Sequence, residues 1–239
     1  MKKLSIIIPV YNEEKTIHLI LNKIKEVSLI NNIKKEIILV NDASRDNSKL
    51  AIEKYINKNA DMNIHYYEYK QNKWKGAALH TWIKNATWDY IMIQDADLEY
   101  NPQEYNLLLK PVEDGFADVV YGSRFMWGNP HRILFFWHSV WNKFLTFLSN
   151  MFSNLNLTDM ETCYKLFKAD IIKNINLKEK RFWFEPEITQ KISRNPSIRI
   201  YEVWISYYGR TYEEWKKIWR KDWFRAIYCI LKYWLFRAK

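Results

Sequence analysis

The sequence predicts an α/β fold: a mostly parallel central sheet with helices on both faces, followed by amphipathic C-terminal helices. Three observations carry this expectation. Short β-branched runs alternate with amphipathic segments through the first half of the chain. Apolar residues make up 48% of the 239 residues, enough to bury a sizeable core. Aspartates sit at the ends of two of the apolar runs, Asp42 after Asn41 and Asp95 after Gln94, and sheets of this kind bind ligands beyond the carboxyl ends of their strands.

Residues 4–9 read as the first strand. The apolar run in MKKLSIIIPVYNEE is too short for a signal peptide and soon meets Pro9 and two glutamates. Asn12 is the expected cap of a helix whose Ile17, Leu21 and Ile24 share one face. Residues 36–40 repeat the strand pattern, and Asp46, Asn47 and Ser48 offer caps for a second helix. A third strand is read at 64–69, a third helix at 76–86, a fourth strand at 90–94 and a fifth at 118–123. Asp42 and Asp95 then end parallel strands and are expected to be neighbours.

The second half changes character. Residues 133–157 are aromatic and amphipathic with few charges, and residues 211–239 mix Lys and Arg with Trp, Tyr, Phe and Leu. Both have the make-up of helices lying in a membrane interface; packing on the flank of the sheet is the alternative for each. No run reaches the roughly 18 apolar residues of a membrane span. The expected organisation is a main domain over 1–210 and a basic helical tail over 211–239.

A formal net charge of +10 favours an anionic partner, either a lipid surface or a phosphorylated substrate. Nucleic acid is disfavoured, because no Arg/Gly-rich tract or RNA-binding motif is present. The two cysteines, Cys163 and Cys229, have no metal-type spacing, which points to a reducing compartment.

The stretch IMIQDADLEY, residues 91–100, concentrates the chemistry. If it stays extended, Asp95, Asp97 and Glu99 share a face, and three like charges there call for a cation. An all-oxygen set suits Mg²⁺ or Mn²⁺, which bind through one or two carboxylates plus substrate phosphates. The alternative is a solvated acidic loop capping the helix that follows Asn101 and Pro102.

Taken in order, SIIIPVYNEE, VNDAS, QDADLEY, GSR and TDMETCYKLF resemble the family 2 inverting glycosyltransferases. The likeness is greatest to the branch of dolichyl-phosphate mannose synthases and bacterial polyprenyl-phosphate sugar transferases, and it covers nearly the whole chain. The resemblance implies a GT-A fold, a nucleotide-sugar donor (a GDP- or UDP-sugar) and a divalent metal. It places Pro9, Tyr11, Glu13 and Asp42 on the nucleoside, and Asp95 and Asp97 on the metal and diphosphate, with Glu99 as a further ligand. Asn41 departs from the second aspartate often found there. On the acceptor side it implies Arg124 and Arg132 against a lipid phosphate, with Ser139 and Arg210 as further contacts. Asp97, Arg124, Asp159 and Glu161 are the expected catalytic residues. Asp159 or Glu161 would be the base if one exists, although Asp159 can equally orient an arginine. The implied partners are the nucleotide sugar, polyprenyl phosphate and the anionic cytoplasmic face of the cell membrane. Two rivals stay open: a saccharide or protein hydroxyl as acceptor, and a catalytically silent, basic membrane-binding module.

One compositional feature stands apart. The chain has twelve tryptophans and five glycines, where average usage of about 7% would give about 17 glycines. Ten tryptophans fall where turn chemistry or the family pattern wants glycine: Trp74, Trp82, Trp88, Trp127, Trp141, Trp183, Trp204, Trp215, Trp219 and Trp223. The expectation is that these are UGA codons meant to be read as glycine.

Overall fold

The computed structural model describes residues 2–86, 88–125, 136–179, 183–209 and 220–235. Its first half alternates strand and helix, and its four strands run parallel to one another. Strands β1 (Lys3–Val10), β2 (Lys34–Asn41), β3 (Ile64–Glu68) and β4 (Tyr90–Ile93) are linked through helices α1 (Ile17–Glu26), α2 (Ser48–Lys58) and α3 (Lys75–Asn85). Beyond α4 (Tyr105–Glu113) come β5 (Val119–Ser123), α5 (Phe136–Ser153), β6 (Lys165–Lys168), α6 (Ala169–Lys173), α7 (Phe184–Ile192), β7 (Ile200–Trp204) and α8 (Arg220–Leu235). The sheet has the order β3-β2-β1-β4-β6-β5-β7. Only β6 breaks the parallel rule, running antiparallel to β4 and β5, while β5 and β7 pair in parallel.

Alternate residues of the strands supply the two core layers, as the period of two requires. Leu4, Ile6 and Ile8 of β1 face one layer with Ile37 and Leu39 of β2 and the inner faces of α1 and α4. Ile7 of β1 faces the other with Ile38, Val40, Ile91 and Ile93, against α3, α7 and α8. Gly122 in β5 is required by a close approach, since a Cβ there would lie 2.9 Å from the Ile205 side chain.

Two expected caps work differently. Asn12 does not cap α1, whose N-cap is Thr16. Asn12 takes a left-handed φ of 56° and its Oδ1 accepts from the Arg45 amide at 2.8 Å, tying together the loops after β1 and β2. At α2 the orphan amide of Ser48 is met by Asp46, whose Oδ1 accepts from Ser48 N at 3.0 Å and Ser48 Oγ at 2.6 Å.

Trp74, the N-cap of α3, has φ 71° and ψ 153°. That backbone region is populated essentially by glycine, and holding another residue in it costs of order 1–3 kcal/mol.

Helix α5 is amphipathic in an unusual sense. Its inward face is small and polar: Asn142, Thr146 and Ser149 are buried with Leu145. Thr146 Oγ1 accepts from Met160 N at 3.2 Å, and Asn150 bonds both main-chain groups of Leu157. Its large apolar side chains point outward, with Phe136, Trp137 and Phe147 all more than 60% exposed. Helix α8 packs on α5 and α7 through Ala226, Cys229, Ile230 and Tyr233 and leaves Phe224 and Leu235 exposed. No helix among the described residues is long and apolar enough to cross a membrane.

Candidate active site

The parallel strands β2, β1 and β4 end on one edge of the sheet, and the loops leaving that edge carry the predicted residues. Asp42 is buried directly after β2, where its Oδ1 accepts from the Lys73 amide at 2.7 Å and its carbonyl from Asn72 Nδ2 at 3.1 Å. Burial raises its carboxyl pKa. Two residues on, the Lys75 ammonium pairs with Asp95 Oδ1 and lies 3.0 Å from Cys163 Sγ. Burial works against that ammonium, but the Asp95 charge prevails and holds its pKa well above the lysine norm. The strand ends on either side of β1 thus meet one short segment, residues 72–75.

Beside this segment lies a cavity of about 840 Å³, lined by Tyr11, Ser44, Arg45, Glu68, Tyr69 and Asn72 among others. That volume falls in the range of small-molecule sites, about 300–1,000 Å³. Of the residues expected on the nucleoside, Tyr11 lines the cavity directly. Pro9 is half-buried within β1. Asp42 and Glu13 are buried and brace the loops: the Glu13 amide donates to Ser48 Oγ at 2.8 Å, and its Oε2 accepts from Thr16 Oγ1 at 2.7 Å.

The acidic stretch does not stay extended. Strand β4 stops at Ile93, and residues 96–99 bend. Asp97 Oδ1 accepts from the Glu99 amide at 3.2 Å, and Glu99 Oε2 accepts from the Tyr207 hydroxyl at 3.0 Å. Among the described residues no group of three or more His, Cys, Asp or Glu is gathered as a cation site. The partly exposed pair Asp95 and Asp97 nevertheless fits Mg²⁺ or Mn²⁺, because these ions take one or two carboxylates and complete their shell with substrate phosphates and water. Lys75 on Asp95 shows that this edge already holds a positive charge.

Arg124 follows β5 and forms a buried bidentate pair with Asp159. Its Nε lies 2.6 Å from Oδ2 and its Nη2 2.9 Å from Oδ1, and its own amide adds a third bond to Oδ2 at 3.1 Å. The side chains are 8% and 0% exposed. Asp159 is in turn held from behind, with its amide donating to Glu202 Oε1 at 3.0 Å. Nε and Nη2 of Arg124 both face Asp159, so the carboxylate fixes the plane of the guanidinium. The guanidinium also sits 5.3 Å from the Tyr207 ring centroid. Tyr207 therefore bridges Glu99 of the acidic loop to Arg124.

Glu161 lies in the same region. Burial, then the charge of Glu185, pushes its carboxyl up to about 8, and its Oε1 has no hydrogen-bond partner among the described residues. Burial likewise lowers the ammonium pKa of Lys165, whose Nζ donates to the carbonyls of Met160 and Thr162. Ser139 is half-buried in the first turn of α5. Arg132 and Arg210 lie outside the described residues.

Lys75, Tyr207 and Glu185 were absent from the sequence expectations. Lys75 stands just before a predicted helix and ahead of the acidic strand, and that position was the available signal. Tyr207 and Glu185 reach the site only through the packing of β7 and α7, which no local pattern announces.

The family model described as Glycosyl transferase family 2 matches residues 5–175. Dodecaprenyl-phosphate galacturonate synthase of Rhizobium johnstonii is 23% identical over 208 residues, covering 87% of this chain and 60% of that protein. Undecaprenyl-phosphate 4-deoxy-4-formamido-L-arabinose transferase of Proteus mirabilis is 29% identical over 124 residues, covering 52% of this chain and 37% of that protein. The chain thus spans less than two thirds of the length of these curated relatives. Among solved structures, glucosyl-3-phosphoglycerate synthase of Mycobacterium tuberculosis, crystallised with Mn²⁺, uridine diphosphate and phosphoglyceric acid, superposes with a TM-score of 0.72 at 13% identity. That match covers 98% of this chain and 78% of the other, a likeness of fold.

Proposed function

The chain belongs to glycosyl transferase family 2 and has the GT-A fold, and from that premise we propose that it transfers a sugar, with inversion, from a nucleoside diphosphate to polyprenyl phosphate at a membrane surface. The observation that carries the choice of acceptor is the state of the two acidic residues beside Arg124. Both Asp159 oxygens are committed to Arg124, and Glu161 is buried, which disfavours its charged form and pushes its carboxyl up to about 8. A hydroxyl acceptor needs a base to take its proton. A phosphate monoester, with a second pKa of about 6, is already a nucleophile and needs cations instead. Two relatives named for dodecaprenyl- and undecaprenyl-phosphate point the same way.

In this reading an acceptor phosphate oxygen attacks the anomeric carbon as the bond to the donor's β-phosphate oxygen breaks, and the electron pair leaves with the nucleoside diphosphate. Arg124, oriented by Asp159, neutralises the acceptor phosphate. The cavity at Tyr11 takes the nucleoside. Asp95 and Asp97 would hold Mg²⁺ or Mn²⁺, and a bound ion supplies Lewis-acid stabilisation of the charge on the departing diphosphate. Lys75 adds a cation beside the same carboxylates. Arg132, Ser139 and Arg210 remain the further acceptor contacts of this reading, and Glu99 positions the loop through Tyr207.

The outward aromatic face of α5 serves the lipid. A helix that turns small polar residues inward and Phe, Trp and Met outward is suited to a bilayer interface, and the net charge of +10 favours the anionic cytoplasmic leaflet. Replacing Phe147 and Met151 by Ser removes two exposed apolar side chains, each worth about 1.5–3 kcal/mol when buried. Co-sedimentation with anionic vesicles should weaken at least about tenfold with an unchanged melting temperature; undiminished binding would remove α5 from the membrane contact.

Glu161→Gln tests the absence of a base. The amide mimics the neutral acid, so turnover near neutral pH should stay within about threefold of the parent, whereas loss of a working general base costs about 10²–10⁴-fold. Stability has a defined sign. The folded carboxyl pKa is raised, so the stabilising proton is fully held below the usual carboxylate range and is lost as pH rises through about 8. The variant should therefore melt higher than the parent in mild alkali and not in mild acid. The reaction itself is tested by offering labelled UDP- and GDP-sugars with polyprenyl phosphate and Mn²⁺. Lipid-extractable product that EDTA abolishes is expected; donor hydrolysis without lipid product would move the acceptor elsewhere.

A further inference from the structure

We infer that the functional chain carries glycine, not tryptophan, at positions 74 and 82, the two tryptophans being UGA codons that the host reads as glycine. At position 74 the backbone calls for glycine. Its φ of 71° with ψ 153° is a conformation that L side chains rarely adopt and glycine adopts freely. The position is also a working one. The amide of Lys73 before it donates to Asp42 at 2.7 Å, and Lys75 after it pairs with Asp95. Residue 74 is thus the hinge between the nucleoside end and the acidic end of the donor site, and its own amide donates to Asn72 Oδ1 at 3.2 Å to close the turn. A glycine lets this segment take its turn without strain and keeps a large ring off the rim of the site, where Trp74 is 44% exposed.

At position 82 packing calls for glycine independently. Trp82 is buried in α3, and its ring centroid lies 3.5 Å from that of Tyr67 with the planes 29° apart. Aromatic pairs ordinarily keep their centroids about 4.5–7 Å apart. Its indole Nε1 is buried with no partner among the described residues, whereas a buried indole N–H ordinarily finds one. Glycine removes both the crowding and the orphan donor. The five glycines and twelve tryptophans of the chain give a matched deficit and excess, as one codon misread throughout would. Trp183 and Trp204 have backbone conformations open to any residue, so their assignment follows from the codon and not from the structure. Trp127, Trp215 and Trp219 lie outside the described residues.

The test is the mass of a proteolytic peptide spanning residues 71–84 from the protein isolated from its own host, a readout independent of donor and acceptor. The expected peptide is lighter than the sequence given by two tryptophan-to-glycine differences; tryptophan at position 74 would overturn the inference. Recombinant Trp74→Gly and Trp74→Ala separate backbone from bulk. The glycine variant should melt about 2–4 °C above the alanine variant, because only glycine relieves the positive φ. Equal melting would remove the backbone argument.

Discussion

Asp97→Asn is expected to abolish transfer while leaving the protein folded. Asp97 lies on the bend after β4, partly exposed, and its Oδ1 accepts from the Glu99 amide at 3.2 Å. Asparagine can still accept that bond, so the loop should keep its shape. It cannot supply the negative charge that would hold the divalent cation against the anionic diphosphate. Loss of one group that stabilises charge developing in the transition state typically costs about 10²–10³-fold in turnover, and loss of the metal itself costs more. The measurement is turnover at saturating Mn²⁺, with the melting temperature as control. Unchanged turnover would mean that Asp95 and Asp97 are not the metal site.

The Arg124–Asp159 pair should give the largest effect on stability. Asp159→Ala leaves a guanidinium buried without its partner, and breaking a buried pair in this way costs about 3–5 kcal/mol. For a chain of this size the melting temperature should fall by about 10 °C. Removing both charges is less damaging than removing one, so Arg124→Met combined with Asp159→Ala should recover part of that loss. Activity separates positioning from base catalysis. Arg124→Lys keeps the charge but loses the planar two-pronged fit to carboxylate or phosphate. It should raise KM for the polyprenyl phosphate at least about tenfold, with donor KM little changed. An Arg124→Lys enzyme with parental acceptor KM would take Arg124 off the acceptor phosphate.

Much of the fold was readable because the first half keeps one simple period. Runs such as SIIIPV and EIILV are β-branched and buried on both faces, and the structure extends them by only a few residues, to Lys3–Val10 and Lys34–Asn41. β6 and β7 were not legible. β6 is four residues long and bounded by Lys165 and Lys168, and its Lys165 is buried only because backbone carbonyls and the Tyr121 ring receive the ammonium. β7 is partly exposed at the sheet edge and pairs with a strand some eighty residues earlier. The bend after Ile93 escaped for a related reason: alternate acidic residues look alike in an extended chain and in a turn, and the Asp97–Glu99 hydrogen bond decides between them. The charges of the site were visible as residue types. Their partners were not, since Lys75–Asp95 and Arg124–Asp159 join positions distant in sequence.

The most direct measurement compares two acceptors that differ only in their reacting group, polyprenyl phosphate and the corresponding polyprenol, with labelled donor and Mn²⁺, in the parent and in Glu161→Gln. Transfer to the phosphate alone, at similar rates in both proteins, is the predicted result and fits a site that supplies cations but no base. Transfer to the alcohol that Glu161→Gln abolishes would contradict it, and would make Glu161 a general base acting on a hydroxyl.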